Sequence, residues 1–165
     1  MSLIYKLTRA NMTTYGDTQW ALNEAKTAPG TGPLCSSGWL YAYEDALVAV
    51  FMDPVHGAFG PKARLFVGDG EVGLRDTDWK VGCSRIVLSH EIPLPVLTTE
   101  MRVEVSVRCA MVVCKDAAWT RWADVWLSGT DRTVEAEAAA RASRAAAAGR
   151  ACAIDLPRIL RAVAA

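Results

Sequence analysis

The chain has 165 residues, of which 52% are hydrophobic, and its 18 Lys and Arg balance 18 Asp and Glu. Zero formal net charge gives no overall field that would draw the chain to nucleic acid or to an anionic membrane. The length allows a buried core in one domain, or in one domain with a helical appendage. Five cysteines, an odd number without a C-x-x-C pair, exclude a disulfide framework and a zinc site of the usual spacing.

The start of the chain has no signal-peptide pattern, and no run reaches the roughly 18 apolar residues of a membrane span. We therefore expect a cytoplasmic protein with reduced thiols and no membrane partner.

The first part of the chain is predicted to form strands. Residues 3–8 are rich in β-branched and aromatic side chains and roughly alternate. Weaker strand signals cover residues 19–22 and 24–28. Two prolines and two glycines in residues 29–33 then force a loop.

Residues 33–54 combine a turn, an aromatic strand and an apolar helix. Short strands are predicted at residues 34–35 and 39–43, hinged at Gly38. Glu44 and Asp45 place acidic groups where the dipole of a helix over residues 46–52 favours them, and Pro54 ends that helix. The helix is apolar on nearly all sides, so we expect it to be buried.

The next elements complete the predicted sheet. Residues 64–67 form a strand, the Gly-Asp-Gly sequence at 68–70 indicates a turn, and residues 72–79 are polar. Residues 80–88 form another strand. Pro93 and Pro95 end the sheet because proline cannot donate to a central ladder.

Residues 98–114 carry two conflicting signals. Apolar and polar side chains alternate from Met101 to Cys109, as in a strand. However, Thr98, Thr99 and Glu100 are typical of a helix start, and the segment is long for a strand. We predict a helix.

The rest of the chain is predicted to be helical. A helix beginning at Asp116 and ending near Gly129 places Trp119, Trp122 and Trp126 on one face. An alanine-rich helix then starts at Asp131 or Thr133 and runs to Gly149. Residues 158–163 form a short closing helix, with Pro157 in its first turn.

These elements predict an α+β fold. Residues 1–97 would form a mostly antiparallel sheet with one short buried helix, and residues 98–165 would form a helical section. The helical section would pack on the sheet domain or on a second subunit.

Several motifs are spread over most of the chain: Tyr-Lys at 5–6, Leu-Cys-x-x-Gly-Trp-Leu-Tyr-Ala at 34–42, Ile-Pro-Leu-Pro at 92–95, Glu-Met-Arg at 100–102, and the segment 114–132 before an alanine-rich tail. Together they resemble an uncharacterised family associated with phages and prophages. The resemblance implies a common architecture without assigned chemistry. Where relatives read Phe-His-Ala-Cys, this chain has Leu40-Tyr41-Ala42-Tyr43, so a role for that His or Cys could not persist here.

Trp39, Tyr41 and Tyr43 share one face of the predicted strand and are the candidate ligand-binding residues. As an exposed platform they would stack on a base or nicotinamide ring, and as a covered face they would pack on a helix. A loose likeness to the ADP-ribosyltransferase class lacks the His-Tyr-Glu or Arg-Ser-Glu set of that class.

Other reactive residues give weaker signals. His56 and His90 each lack a second metal ligand at the expected spacing, so no metal site is predicted. Cys35 would act as a nucleophile only if a base approached it. No set of catalytic residues is therefore predicted, and no cofactor is expected.

The leading hypothesis is a non-enzymatic phage or prophage accessory module that binds a macromolecule. Its partner would be an unknown protein, or a second copy bound through Trp119, Trp122 and Trp126, which otherwise pack in the chain's own core. Residues 138–165 are basic, yet no nucleic-acid motif accompanies them. The alternative is a nucleotide-binding protein or enzyme that uses Trp39, Tyr41 and Tyr43.

Overall fold

The computed structural model describes residues 1–53, 55–76, 79–114, 116–132 and 154–165. The chain divides into two compact units, Met1–Val96 and Leu97–Ala165. The first contains an antiparallel sheet with a short helix, and the second is helical, so the α+β fold class is confirmed.

In the part of the chain that the structure describes, five strands form the sheet: β1 (Ser2–Thr8), β2 (Ala25–Thr27), β3 (Leu40–Ala42), β4 (Arg64–Asp76) and β5 (Lys80–Ile92). The order is β1-β4-β5-β2, and β3 also pairs with β5. Just after β3, Tyr5 and Tyr43 exchange two backbone hydrogen bonds of 2.7 and 3.0 Å. The pairings β1-β4-β5-β3 thus close into a ring.

The sheet unit contains a buried hydrophobic cluster to which β1, β3, β4 and β5 contribute. Its buried residues are Ile4, Trp20, Ala42, Phe66, Val81, Cys83, Ile86 and Leu88. A lysine, Lys6, is also buried and lies with its Nζ 4.9 Å from the centre of the Trp20 ring.

The predicted buried helix is present as α1 (Ala46–Phe51), and it packs on β1. Asp45 caps it, because its carboxylate accepts hydrogen bonds from the amides of Leu47 and Val48. Val48, Ala49 and Val50 are buried, as the apolar pattern indicated.

Two strand predictions were wrong. Residues 34–35 form a turn in which Cys35 has a φ of 68°, a left-handed conformation far from the extended backbone of a strand. Residues 19–22 make only isolated bridges, at Gln19 and Leu22.

The predicted turn at residues 68–70 lies inside β4, and the polar segment after it continues the same strand to Asp76. Strand β5 likewise runs past residue 88 to Ile92. Gly70 is explained by packing, since a Cβ there would lie 2.8 Å from the Cys83 sulfur.

The helical unit contains α2 (Thr99–Val113), α3 (Ala117–Leu127) and α4 (Leu156–Ala164). Thr98, Asp116 and Asp155 accept the capping hydrogen bonds, so the helix starts predicted at the first two were correct. The predicted helix between residues 131 and 149 lies almost wholly outside the described residues.

Candidate functional site

The structure gives Trp39, Tyr41 and Tyr43 three different surroundings. Leu40 and Ala42, between them, pack with the sheet core. The alternation predicted for this strand is therefore present, but its three aromatic rings do not meet as one platform.

Trp39 packs against glycine backbone. A Cβ on Gly73 would lie 2.6 Å from its ring, and one on Gly82 would lie 3.1 Å from it. Its indole Nε1 donates a 2.9 Å hydrogen bond to the Gly32 carbonyl oxygen. Trp39 thus fastens residues 29–38, hereafter the 29–38 loop, to the sheet.

Tyr41 is contacted by two lysines. Its hydroxyl donates a 2.7 Å hydrogen bond to the Ser36 carbonyl, a second attachment for the 29–38 loop. The Nζ of Lys80 lies 5.3 Å from its ring centre, and the Nζ of Lys6 donates to its backbone oxygen. Burial lowers the pKa of Lys6 from 10.5 to about 8, although the nearby Cys83 acts in the opposite direction.

Tyr43 is 8% exposed and lies beside His56. The rings are stacked at 6.2 Å, and the Tyr43 oxygen is 3.2 Å from Nδ1 of His56. Burial, aided by Asp53, raises the pKa of Tyr43 well above its ordinary value, so its hydroxyl stays protonated. His56 thus has a phenol as neighbour, and His90 contacts the hydroxyl of Ser89 at 3.0 Å.

The turn that replaces the predicted strand at residues 34–35 exposes Cys35. Its sulfur lies 2.9 Å from the Nζ of Lys80 at the start of β5. Sequence reasoning missed Lys80, because the two residues are 45 positions apart. The left-handed Cys35 backbone carried no sequence signal, since the residue is not glycine.

A cavity of about 410 Å³ opens beside Trp39. Its lining residues are Met1, Ser2, Gly30, Trp39, Gly70, Glu71, Val72, Gly73 and Ser84. Glu71 is exposed, and its carboxylate lies 3.3 Å from the Ser84 hydroxyl. The cavity thus combines an aromatic ring, a carboxylate, a hydroxyl and glycine backbone.

Comparison of the chain with protein-family models, curated proteins and solved structures gave no match. In the described ranges, no group of three or more His, Cys, Asp and Glu is placed to hold a metal ion. No described helix has both the length and the apolar character needed to cross a membrane.

The tryptophan stripe of α3 belongs largely to the core of the helical unit. Trp126 is 2% exposed and packs with Val107, Ala110 and Ala123. Trp119 and Trp122 are half-buried against this cluster, with ring centres 6.0 Å apart. Self-association through these helices stays a prediction.

Proposed function

We propose that the protein is a non-enzymatic module that binds another protein by receiving a basic side chain in the Trp39 cavity. The observation that carries this proposal is that the Trp39 ring and the Glu71 carboxylate line the same open space. A Lys or Arg side chain is attracted both to a carboxylate and to the face of an indole ring.

The form of the cavity favours a protein partner over a free small molecule. A volume of about 410 Å³ is near the low end for ligand pockets, and the space is open to solvent. It would cover little more than one side chain, so the rest of the ligand would extend over the sheet. Gly73 in the lining is exposed, so an approaching chain can reach the β4 backbone there.

The nucleotide alternative has less support. Tyr41 and Tyr43 use their hydroxyl groups within the fold and do not line the cavity. Only Trp39 remains available to stack on a base. The carboxylate of Glu71 in the same space would repel a phosphate group.

The test is an NMR titration of ¹⁵N-labelled protein with acetyl-Gly-Arg-Gly-amide, followed at the indole N–H of Trp39. We expect a saturable shift with a Kd of about 1 mM, as suits one side chain. Acetyl-Gly-Glu-Gly-amide should give none. Glu71→Gln should weaken binding of the arginine peptide several-fold, because the ion pair is lost.

Asp69→Asn is the matched control, since Asp69 is an exposed carboxylate on the same strand that does not line the cavity. It should bind the arginine peptide like the wild type. Equal binding of the arginine and glutamate peptides, or unchanged binding in Glu71→Gln, would overturn the proposal. A saturable shift with AMP but not with the arginine peptide would replace it by the nucleotide alternative.

A further inference from the structure

Cys35 and Lys80 form a pair whose chemistry the proposed function does not use. Lys80 is 9% exposed, and its Nζ lies 2.9 Å from the Cys35 sulfur. Among the described residues, no carboxylate lies within 4.0 Å of this ammonium group; Asp76, its cross-strand neighbour, is the nearest acid by register. The thiol is therefore the polar group at which the buried ammonium is aimed.

The surrounding fold holds the sulfur in place while leaving it accessible. Cys35 is exposed, and its backbone has a φ of 68°, a left-handed conformation that non-glycine residues rarely adopt. The hydrogen bond from the Tyr41 hydroxyl to the Ser36 carbonyl oxygen holds the residue that follows Cys35 in place. Strain of this kind is maintained only where the surrounding contacts determine the conformation.

A neighbouring ammonium group stabilises a thiolate, which is the reactive form of cysteine. The 2.9 Å contact places the Lys80 ammonium directly on the sulfur that reacts. The buried thiols Cys83 and Cys109 have the opposite environment, since burial raises the pKa of each from 9.0 to about 11.

We propose that Cys35 is a peroxide-reactive thiol and that Lys80 is its activating partner. The Cys35 thiolate attacks one oxygen of hydrogen peroxide, forming the S–O bond as the O–O bond breaks. Sulfur is oxidised to the sulfenic acid, and the departing hydroxide takes a proton from the Lys80 ammonium to leave as water. Solvent then reprotonates the lysine.

The sulfenic acid would be capped by a small thiol from solution. Cys83, the other cysteine of the sheet unit, is fully buried in the core. A small thiol such as glutathione would condense with the sulfenic acid, forming a mixed disulfide and releasing water. This site does not depend on the Trp39 cavity being a binding site.

The test measures the rate of sulfenic acid formation at Cys35 at pH 7, using hydrogen peroxide with dimedone trapping and peptide mass spectrometry. N-acetylcysteine in the same solution is the reference for an exposed, unactivated thiol. We expect Cys35 to react several-fold faster than the reference. Lys80→Met should remove most of this excess, and Cys35→Ser should abolish labelling at the site.

Lys26→Met is the matched control, because the Nζ of Lys26 also lies over an aromatic ring, 5.6 Å from that of Trp20. It should leave the Cys35 rate unchanged. In the wild-type protein, a Cys35 rate no greater than that of N-acetylcysteine would overturn the proposal. An unchanged Cys35 rate in a Lys80→Met protein whose circular dichroism matches the wild type would also overturn it.

Discussion

The backbone of Gly38 lies so close to that of Thr31 that a Cβ on Gly38 would be 1.8 Å from the Thr31 carbonyl oxygen. A second contact closes the same loop, because the Gly30 amide donates a 2.9 Å hydrogen bond to the Gly38 oxygen. The 29–38 loop, which presents Cys35 and contributes Gly30 to the cavity, therefore needs glycine at position 38 for steric reasons.

Gly38→Ala is predicted to lower the free energy of unfolding of the sheet unit by more than about 2 kcal/mol, because the loop must move away from Thr31. Gly16→Ala is the matched control. Gly16 has a φ of 64° but open space around its Cβ position, so only the left-handed cost of about 1 kcal/mol applies. Urea unfolding measures both, and equal losses would contradict the steric explanation.

Lys6 is predicted to make stability depend on pH. Its pKa of about 8 in the folded protein lies below the 10.5 of the unfolded chain, so the unfolded chain binds more protons between these values. The contribution of Lys6 to the free energy of unfolding therefore increases as pH rises through this window. Above pH 9, the raised pKa values of Cys83, Cys109 and Tyr43 act in the opposite direction.

The difference in unfolding free energy between wild type and Lys6→Met isolates this contribution, because both proteins keep the other groups. We expect the difference to move in favour of the wild type by about 1 kcal/mol between pH 8 and pH 9. Denaturant unfolding at both pH values measures it. A difference that stays constant would show that Lys6 titrates alike in the folded and unfolded chain.

Trp126→Ala is predicted to destabilise the helical unit by about 3–5 kcal/mol, since the side chain is fully buried. Trp122→Ala should cost less, because Trp122 is only half-buried beside Trp119. Loss of helical circular dichroism with urea compares the two variants. An equal or larger loss for Trp122→Ala would contradict the assignment of Trp126 as the central core residue of α3.

Local signals predicted most elements well. Thr98 and Asp116 begin helices as their capping chemistry indicated, so α2 is a helix despite its alternating residues. The turn predicted at residues 68–70 was wrong because the glycine at position 70 is needed for packing. It leaves room for the side chain of Cys83, which is distant in sequence. The same Gly-Asp-Gly sequence is compatible with a turn and with a strand in which glycine makes room for a neighbouring side chain.

The candidate site was harder to predict than the fold because its contacts are long-range. The aromatic residues at 39, 41 and 43 were identified, but their separate environments depend on Gly73, Lys80 and His56. The pairing of Cys35 with Lys80 required the register that places Lys80 near the end of β3, and no local pattern encodes that register.

Both proposed sites require the 29–38 loop to hold one conformation, because it presents Cys35 and contributes Gly30 to the cavity. Hydrogen exchange of the Gly30 amide tests this most directly, because that amide bonds to Gly38 within the loop. We predict that it exchanges as slowly as amides in the β4–β5 ladder. Exchange at the rate of an unstructured chain would contradict the claim.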